Sequence, residues 1–283
     1  MKIAVITDSG SGFSKKQAND LGVFYLPLQI MINDDMYLDG ETISVTEIYD
    51  LLAKGEMPTT SMPPVGIMEE VFHQIKEEGY DEVIAIPLSS GLSSTSSIMQ
   101  AVAKDLDLNL HIIEIYSTCH IQKYLVQEAV RLVGENRDVN EIVSTLTSCA
   151  EDSGSLIIPD DLQHLKRGGR LTPLAAALGG LLKIKPILQL NKGTDGKIDV
   201  FDKVRTMSKA MGKVADTVKA QGLDDTYEIA VLHSGSEESG LQLKALVEEA
   251  FPGVNVYFGV IGAVIAVHTG LGCVGVQFVR KVK

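Results

Sequence analysis

The run "KIAVIT" at residues 2–7 breaks abruptly into the polar loop "DSGSG", and the pattern recurs at "VFYLPLQIMI", "EVIAIPL" and "LHIIEIYS". Continuous apolar runs of this length, closed by turn residues, read as strands buried on both faces of a sheet. Helical patterns separate most of them. "VGIMEEVFHQIKEEG" places Ile67, Val71 and Ile75 on one face and stops at Gly79; "SSIMQAVAKDL" and "IQKYLVQEAVRLVGEN" follow. Strands that alternate with helices imply βαβ units and a largely parallel sheet.

A helix around 138–152 closes this series and a second one begins. "SLIIPD" reads as a strand, "DLQHLKRGGR" as a short helix with a glycine stop, and "PLAAALGGLLK" as a very apolar helix. "KPILQLN" and "KIDVFDKV" form strands joined by "KGTDG", a hairpin signal. A helix over 206–221, the strand "EIAVLHSG", the helix "EESGLQLKALVEEAF" and the strands "VNVYFGV" and "VGVQFVRK" complete the chain. The expected fold is two α/β domains. Residues 1–153 build a largely parallel sheet with flanking helices, and 154–283 build a second domain around a mixed sheet. At 283 residues the chain is long enough for two cores.

Composition narrows the function. The net charge of −12 supplies no general cationic surface for a phosphate backbone, so nucleic acid is not the expected partner. An anionic ligand would need local donors. Cys119, Cys149 and Cys273 are scattered without a CxxC pair, as in reduced cytoplasmic proteins. The opening apolar run ends at Asp8, too short for a signal peptide. The best candidate for a membrane span, "GVIGAVIAVHTGLG", stops at His268 and falls short of about 18 apolar residues. No HExxH or Cys/His pairing predicts a metal site, and no GxxxxGK[ST] predicts a P-loop.

Five stretches carry chemistry, each beside a plainer reading. "SSGLSSTSS" (Ser89–Ser97) packs six serines and a threonine between a strand and a helix. Helix capping accounts for Ser94 or Thr95. A nucleophile elbow would read GxSxG, and the second glycine is missing. The third reading is an anion cradle of hydroxyls and free N–H groups at a helix entry. "MPTTSMPP" supplies Thr59, Thr60 and Ser61 before the helix of 65–78. Two hydroxyl-rich helix entries in successive βα units would share one edge of the parallel sheet. "HTGLGCVG" matches GxGxxG at Gly270, Gly272 and Gly275, yet it leads into a strand near the end of the chain, so a dinucleotide does not fit. The glycines read as a tight turn, and His268 as a structural histidine or a carboxylate donor. "LKRGGRL" gathers Lys166, Arg167 and Arg170 as helix C-terminal charge or as a contact for phosphate or an acidic partner. The helix 173–182 is a buried helix or a flap. In "TDSGSG", Asp8 is either catalytic or a loop cap.

In order along the chain, "ITDSGSGF", "PTTSMP", "IPLSSGLSST", "DLQHLKRGGRL" and "HTGLGCVGV" resemble the DegV family over essentially the whole length. These are bacterial two-domain α/β proteins that bind a fatty acid between their domains. Members similar to this chain act as the lipid-binding subunit of bacterial fatty acid kinase. They present an acyl carboxylate to a kinase partner that makes an acyl phosphate from ATP. The resemblance implies carboxylate contacts at Thr60, Ser61, Ser93 and His268, with Arg170 and Arg205 as supporting or partner contacts. It implies a non-catalytic, cytoplasmic protein with a long-chain fatty acid as ligand, no cofactor, and at most transient membrane contact. Met62, Ser94 and Leu271 stand where the family usually has Gln, Gly and Pro. Two other classes stay open on the residues alone: an acyl hydrolase or transferase using Ser93 with His268, and a lipid-responsive regulatory binding protein.

Overall fold

The computed structural model describes residues 2–178 and 184–283. The N-terminal half runs β1 (Ile3–Asp8), α1 (Lys15–Asp20), β2 (Phe24–Leu26), β3 (Gln29–Ile32), β4 (Asp35–Leu38), α2 (Val45–Ala53), β5 (Thr59–Ser61), α3 (Val65–Glu77), β6 (Glu82–Ile86), α4 (Thr95–Asp105), β7 (Asn109–Ile112), α5 (Cys119–Gly134) and α6 (Val139–Glu151). Its main sheet, ordered β2-β1-β6-β7, is wholly parallel. Alternation along β1 explains the layering. Val5 joins the core under α5 and α6, while Ala4 and Ile6 face Met68, Phe72 and Met99 of α3 and α4.

The run "VFYLPLQIMI" is not one strand. Pro27 has no N–H for a ladder, and the chain changes sheets there: Leu26 ends the pairing with β1, and Gln29 opens an antiparallel sheet ordered β4-β3-β5. Thr59–Ser61 therefore forms a strand rather than a helix entry on the parallel sheet's edge. Pro64 is the N-cap of α3 and makes no side-chain cap, so these hydroxyls are not spent on capping.

The second half contains β8 (Gly154–Ile158), α7 (Leu162–Arg167), α8 (Pro173–Ala177), β9 (Lys185–Asn191), β10 (Asp199–Val204), α9 (Met207–Ala220), β11 (Tyr227–His233), α10 (Glu237–Ala250), β12 (Val256–Val260), α11 (Ala263–Thr269) and β13 (Val274–Arg280). Its six strands are ordered β10-β9-β8-β13-β11-β12, and only β11 and β12 run parallel, so this sheet is mixed. The expected helix 173–182 is described up to Ala177, and its glycines Gly179 and Gly180 lie outside the described residues. No helix among the described residues is long and apolar enough to cross a membrane.

The two halves are stitched together. Helix α11, from the second half, packs Ala263, Val264 and Val267 against Leu28, Ile30, Ile48 and Leu88 of the first. The Tyr49 hydroxyl on α2 donates to the Ile261 carbonyl at 2.7 Å, with the His233 carbonyl at 3.2 Å. Gln277 on β13 accepts from the His120 N–H at 2.9 Å and donates to the Thr118 carbonyl at 3.1 Å, filling free donors at the start of α5. Tyr49→Phe should lower stability by about 1 kcal/mol, the usual net worth of one such bond. Urea unfolding would measure it, and an unchanged midpoint would show that this pin carries no load.

Candidate functional site

Five of the expected residues line one cavity, four of them at least partly buried. Thr60 comes from β5, Ser93 from the loop before α4, Arg170 from the segment after α7, and His268 from the last turn of α11. Thr60 Oγ1 and His268 Nε2 are 2.6 Å apart. Ser61 lies at the rim and is exposed. Arg205 stands apart from this cluster, exposed at the turn between β10 and α9.

The serine-rich stretch is a tightly turned loop. Asp8 Oδ2 accepts from the Leu88 N–H at 2.9 Å, and the Ser89 N–H donates to the Ser117 carbonyl at 2.8 Å. The Leu92 and Ser93 N–H groups both return to the Ser89 carbonyl, at 3.0 and 3.2 Å. The hydroxyl that serves the first turn of α4 is Ser93's, accepting from the Thr95 N–H at 3.3 Å; Ser94, the formal N-cap, makes no such bond. The second half holds the loop from outside, since the Ser89 hydroxyl donates to the Gly196 carbonyl at 3.0 Å. Gly91 and Gly196 are glycines for this reason: a Cβ on Gly91 would lie 2.2 Å from the Gly196 oxygen.

Behind Asp8 lies a buried polar network. Asp8 Oδ1 accepts from the Gly10 N–H at 2.9 Å and from the Gln122 amide at 3.0 Å. The Ser9 hydroxyl accepts from the Leu28 N–H at 3.1 Å and bonds the Asp39 carboxyl, which also takes the Val264 N–H in the first turn of α11. Burial pushes both carboxyls up to about 6, against the hydrogen bonds they accept. "DSG" is thus a clamp: Asp8 fixes the serine loop, and Ser9 with Asp39 fixes the helix that carries His268. Asp39 has no local signature in the sequence, because its partners come from distant segments.

His268 is neutral at physiological pH. Burial lowers its pKa to about 4, with the nearby Arg170 guanidinium acting the same way. Arg170 turns back on its own segment, donating from Nη1 to the Gly168 carbonyl at 2.5 Å and from Nε to the Leu92 carbonyl at 3.4 Å. The glycine turn behaves as expected, with Gly270 and Gly272 at φ +71° and +79° leading into β13. Lys166 and Arg167 are exposed on α7.

Ser93 and His268 do not form a nucleophile–base pair. Thr60 occupies His268 Nε2, and the Ser93 hydroxyl pairs with that of Thr95 at 2.8 Å. Below the polar mouth the cavity is aliphatic, lined by Leu28, Leu88, Leu92, Ile157, Leu165, Leu190, Ile198, Val264 and Ile265, and its volume is about 70 Å³. A second space of about 40 Å³ shares the lining residues Thr118, Ile157, Leu190, Ile265 and Thr269 with it and also touches Leu232, Ile261 and Val276. The arrangement is a short polar mouth over two adjoining apolar spaces between the halves.

Comparison with known proteins identifies the family. A family model described as "Uncharacterised protein, DegV family" matches residues 2–281. A DegV domain-containing protein of Listeria innocua is 33% identical over 283 residues, with 99% of each chain covered. The structure of a fatty acid binding DegV family protein from Streptococcus agalactiae superposes with a TM-score of 0.90 at 33% identity, covering 99% of each chain. That of DegV, a fatty acid binding protein from Bacillus subtilis, gives 0.87 at 30% identity, covering 99% of this chain and 100% of that one. The chain belongs to the DegV family.

Proposed function

We propose that this protein binds one long-chain fatty acid, with its carboxylate at Thr60, Ser93 and His268 and its tail in the apolar spaces between the halves, and presents that carboxylate to a fatty acid kinase partner. The observation that carries the reading is the neutral polar mouth, Thr60 on His268 beside Ser93, over adjoining aliphatic spaces that an acyl tail would join and widen. The names of the S. agalactiae and B. subtilis relatives support the ligand class. Burying about 15 methylenes gains roughly 12 kcal/mol gross, before association costs, so the tail supplies most of the affinity. Hydroxyls and a neutral imidazole then orient the carboxylate without trapping it as an ion pair. The protein itself performs no chemistry in this reading. Arg170 at the mouth and the exposed Arg205 are positioned for the phosphorylated product or the partner, which uses ATP in the cytoplasm.

Delipidated protein should take up one equivalent of oleate or palmitate. Thr60→Ala and Ser93→Ala should each weaken uptake about tenfold, the worth of a hydrogen bond to a charged group. Absence of bound lipid in native mass spectra together with absence of saturable uptake would overturn the binding role. Failure of the loaded protein to yield acyl phosphate with any fatty acid kinase catalytic subunit and ATP would overturn the presenting role. Labelling of Ser93 by an acyl-transfer probe would restore the hydrolase reading.

A further inference from the structure

The two glycines of "KRGGR" are there for different reasons. Gly169 has φ +73°, which favours glycine for conformation alone, and nothing lies within 4 Å of a Cβ placed there. Gly168 has φ −63° and ψ −19°, ordinary helical values that any residue adopts. A Cβ on Gly168, however, would lie 2.5 Å from His268 Nδ1 and 3.3 Å from its Cγ. The missing side chain is the space the imidazole occupies.

That packing also bears on the ring's proton. His268 Nδ1 is buried and has no hydrogen-bond partner among the described residues, while Nε2 is 2.6 Å from Thr60 Oγ1. A proton on Nδ1 would be an orphaned buried donor facing backbone carbon, the costlier of the two unsatisfied arrangements. It would also oblige Thr60 to spend its only hydroxyl hydrogen on Nε2. With the proton on Nε2, His268 donates to Thr60 Oγ1, and the Thr60 hydrogen is free to point into the cavity. Helix α7 is held at the right height for this by His164, whose Nε2 donates to the Val267 carbonyl at 2.8 Å, one residue before His268.

We propose that Gly168 is a positioning residue for the head-group network: it seats the His268 ring against bare backbone, keeps the ring proton on Nε2, and so makes Thr60 a donor toward the ligand. The consequence for binding rests on the fatty-acid reading of the cavity; the steric and tautomeric parts do not. Gly168→Ala should weaken oleate binding about tenfold, as loss of an oriented donor to a carboxylate would. His268→Ala should do the same, and the double variant should bind no more weakly than His268→Ala alone, because removing the ring makes room for the methyl group. Gly169→Ala should lose some thermal stability through its left-handed backbone and keep wild-type affinity. In ligand-free wild type, nitrogen NMR should find the His268 proton on Nε2. Wild-type affinity in Gly168→Ala, additive losses in the double variant, or a proton on Nδ1 would each overturn the proposal. If wild type does not bind oleate at all, the fatty-acid reading fails instead. The NMR signature, with the stabilities of the single and double variants, then still decides the role of Gly168.

Discussion

Asp8→Ala should cost about 3–5 kcal/mol at neutral pH, a large part of the stability of an ordinary domain. The carboxyl is wholly buried and satisfies the Leu88 and Gly10 N–H groups; the substitution orphans both, while the Gln122 amide loses one of three acceptors and keeps Thr7 Oγ1 and the Ile86 carbonyl. Its pH signature separates this from a simple packing defect. The folded protein raises the Asp8 pKa from 3.8 to about 6, so the native state holds its proton more tightly than the unfolded chain does. The stability linked to that proton is fully present below about 4 and is lost as pH rises through 6. Wild type gains this contribution on acidification and the variant does not, so the gap between them should be about 1 kcal/mol wider at pH 5 than at pH 7. Asp39 shifts the same way, and His268, lowered from 6.5 to about 4, shifts oppositely; both are common to wild type and variant and cancel in the difference. Denaturant unfolding of both proteins at the two pH values measures it. A cost below about 1 kcal/mol at neutral pH would refute the clamp, and an equal gap at both pH values would refute a protonatable buried carboxyl. If Asp8→Ala does not fold, Asp8→Asn keeps the volume but turns one acceptor into a donor facing a backbone N–H, with a smaller loss and no pH dependence in the same window.

Gly196→Ala should be nearly as damaging, and for a reason that joins the halves. The residue sits at φ +64°, where an L side chain costs about 1 kcal/mol or more. The new methyl carbon would also lie 1.9 Å from the Ser89 hydroxyl oxygen and 3.3 Å from Tyr116 Cα. Relief requires the hairpin after β9 to back away from the serine loop, breaking the Ser89 to Gly196 bond. The expected cost is about 3–4 kcal/mol, with fatty-acid affinity falling as Ser93 loses its frame. In a Ser89→Ala background the oxygen is gone, and the same substitution should cost only about half as much. A double-mutant cycle reads this directly. Equal costs in both backgrounds would show that the hairpin does not press on the loop.

Much of the fold was legible because its elements bury one face or alternate faces, and local periodicity reports that burial. Helix α3 was read from Ile67, Val71 and Ile75, and the mixed second sheet from the hairpin signal at "KGTDG". Helix α11 was missed. Five of its seven residues, Ala263, Val264, Ala266, Val267 and Thr269, are buried, and an element covered on nearly all sides carries no stripe. Strand β5 resembles a helix entry in sequence because Thr-Thr-Ser shortly before two prolines is a capping pattern. A strand of three residues is defined by its partner β3, not by its own sequence.

The same division holds at the site. The order of motifs along the chain carries a family resemblance, and that resemblance points to Thr60, Ser93, His268 and Arg170; residue type alone leaves capping and structural roles open for each. Tertiary structure alone decided that Thr60 meets His268, that Asp8 and Asp39 stand behind them, and that Gly168 makes room for the ring. The Thr60–His268, Asp8–Leu88 and Asp39–Val264 contacts each join residues 80 or more positions apart, and the role of Gly168 depends on the absence of a side chain. Sequence records what a residue can donate or accept; only packing decides which group comes close enough to receive it.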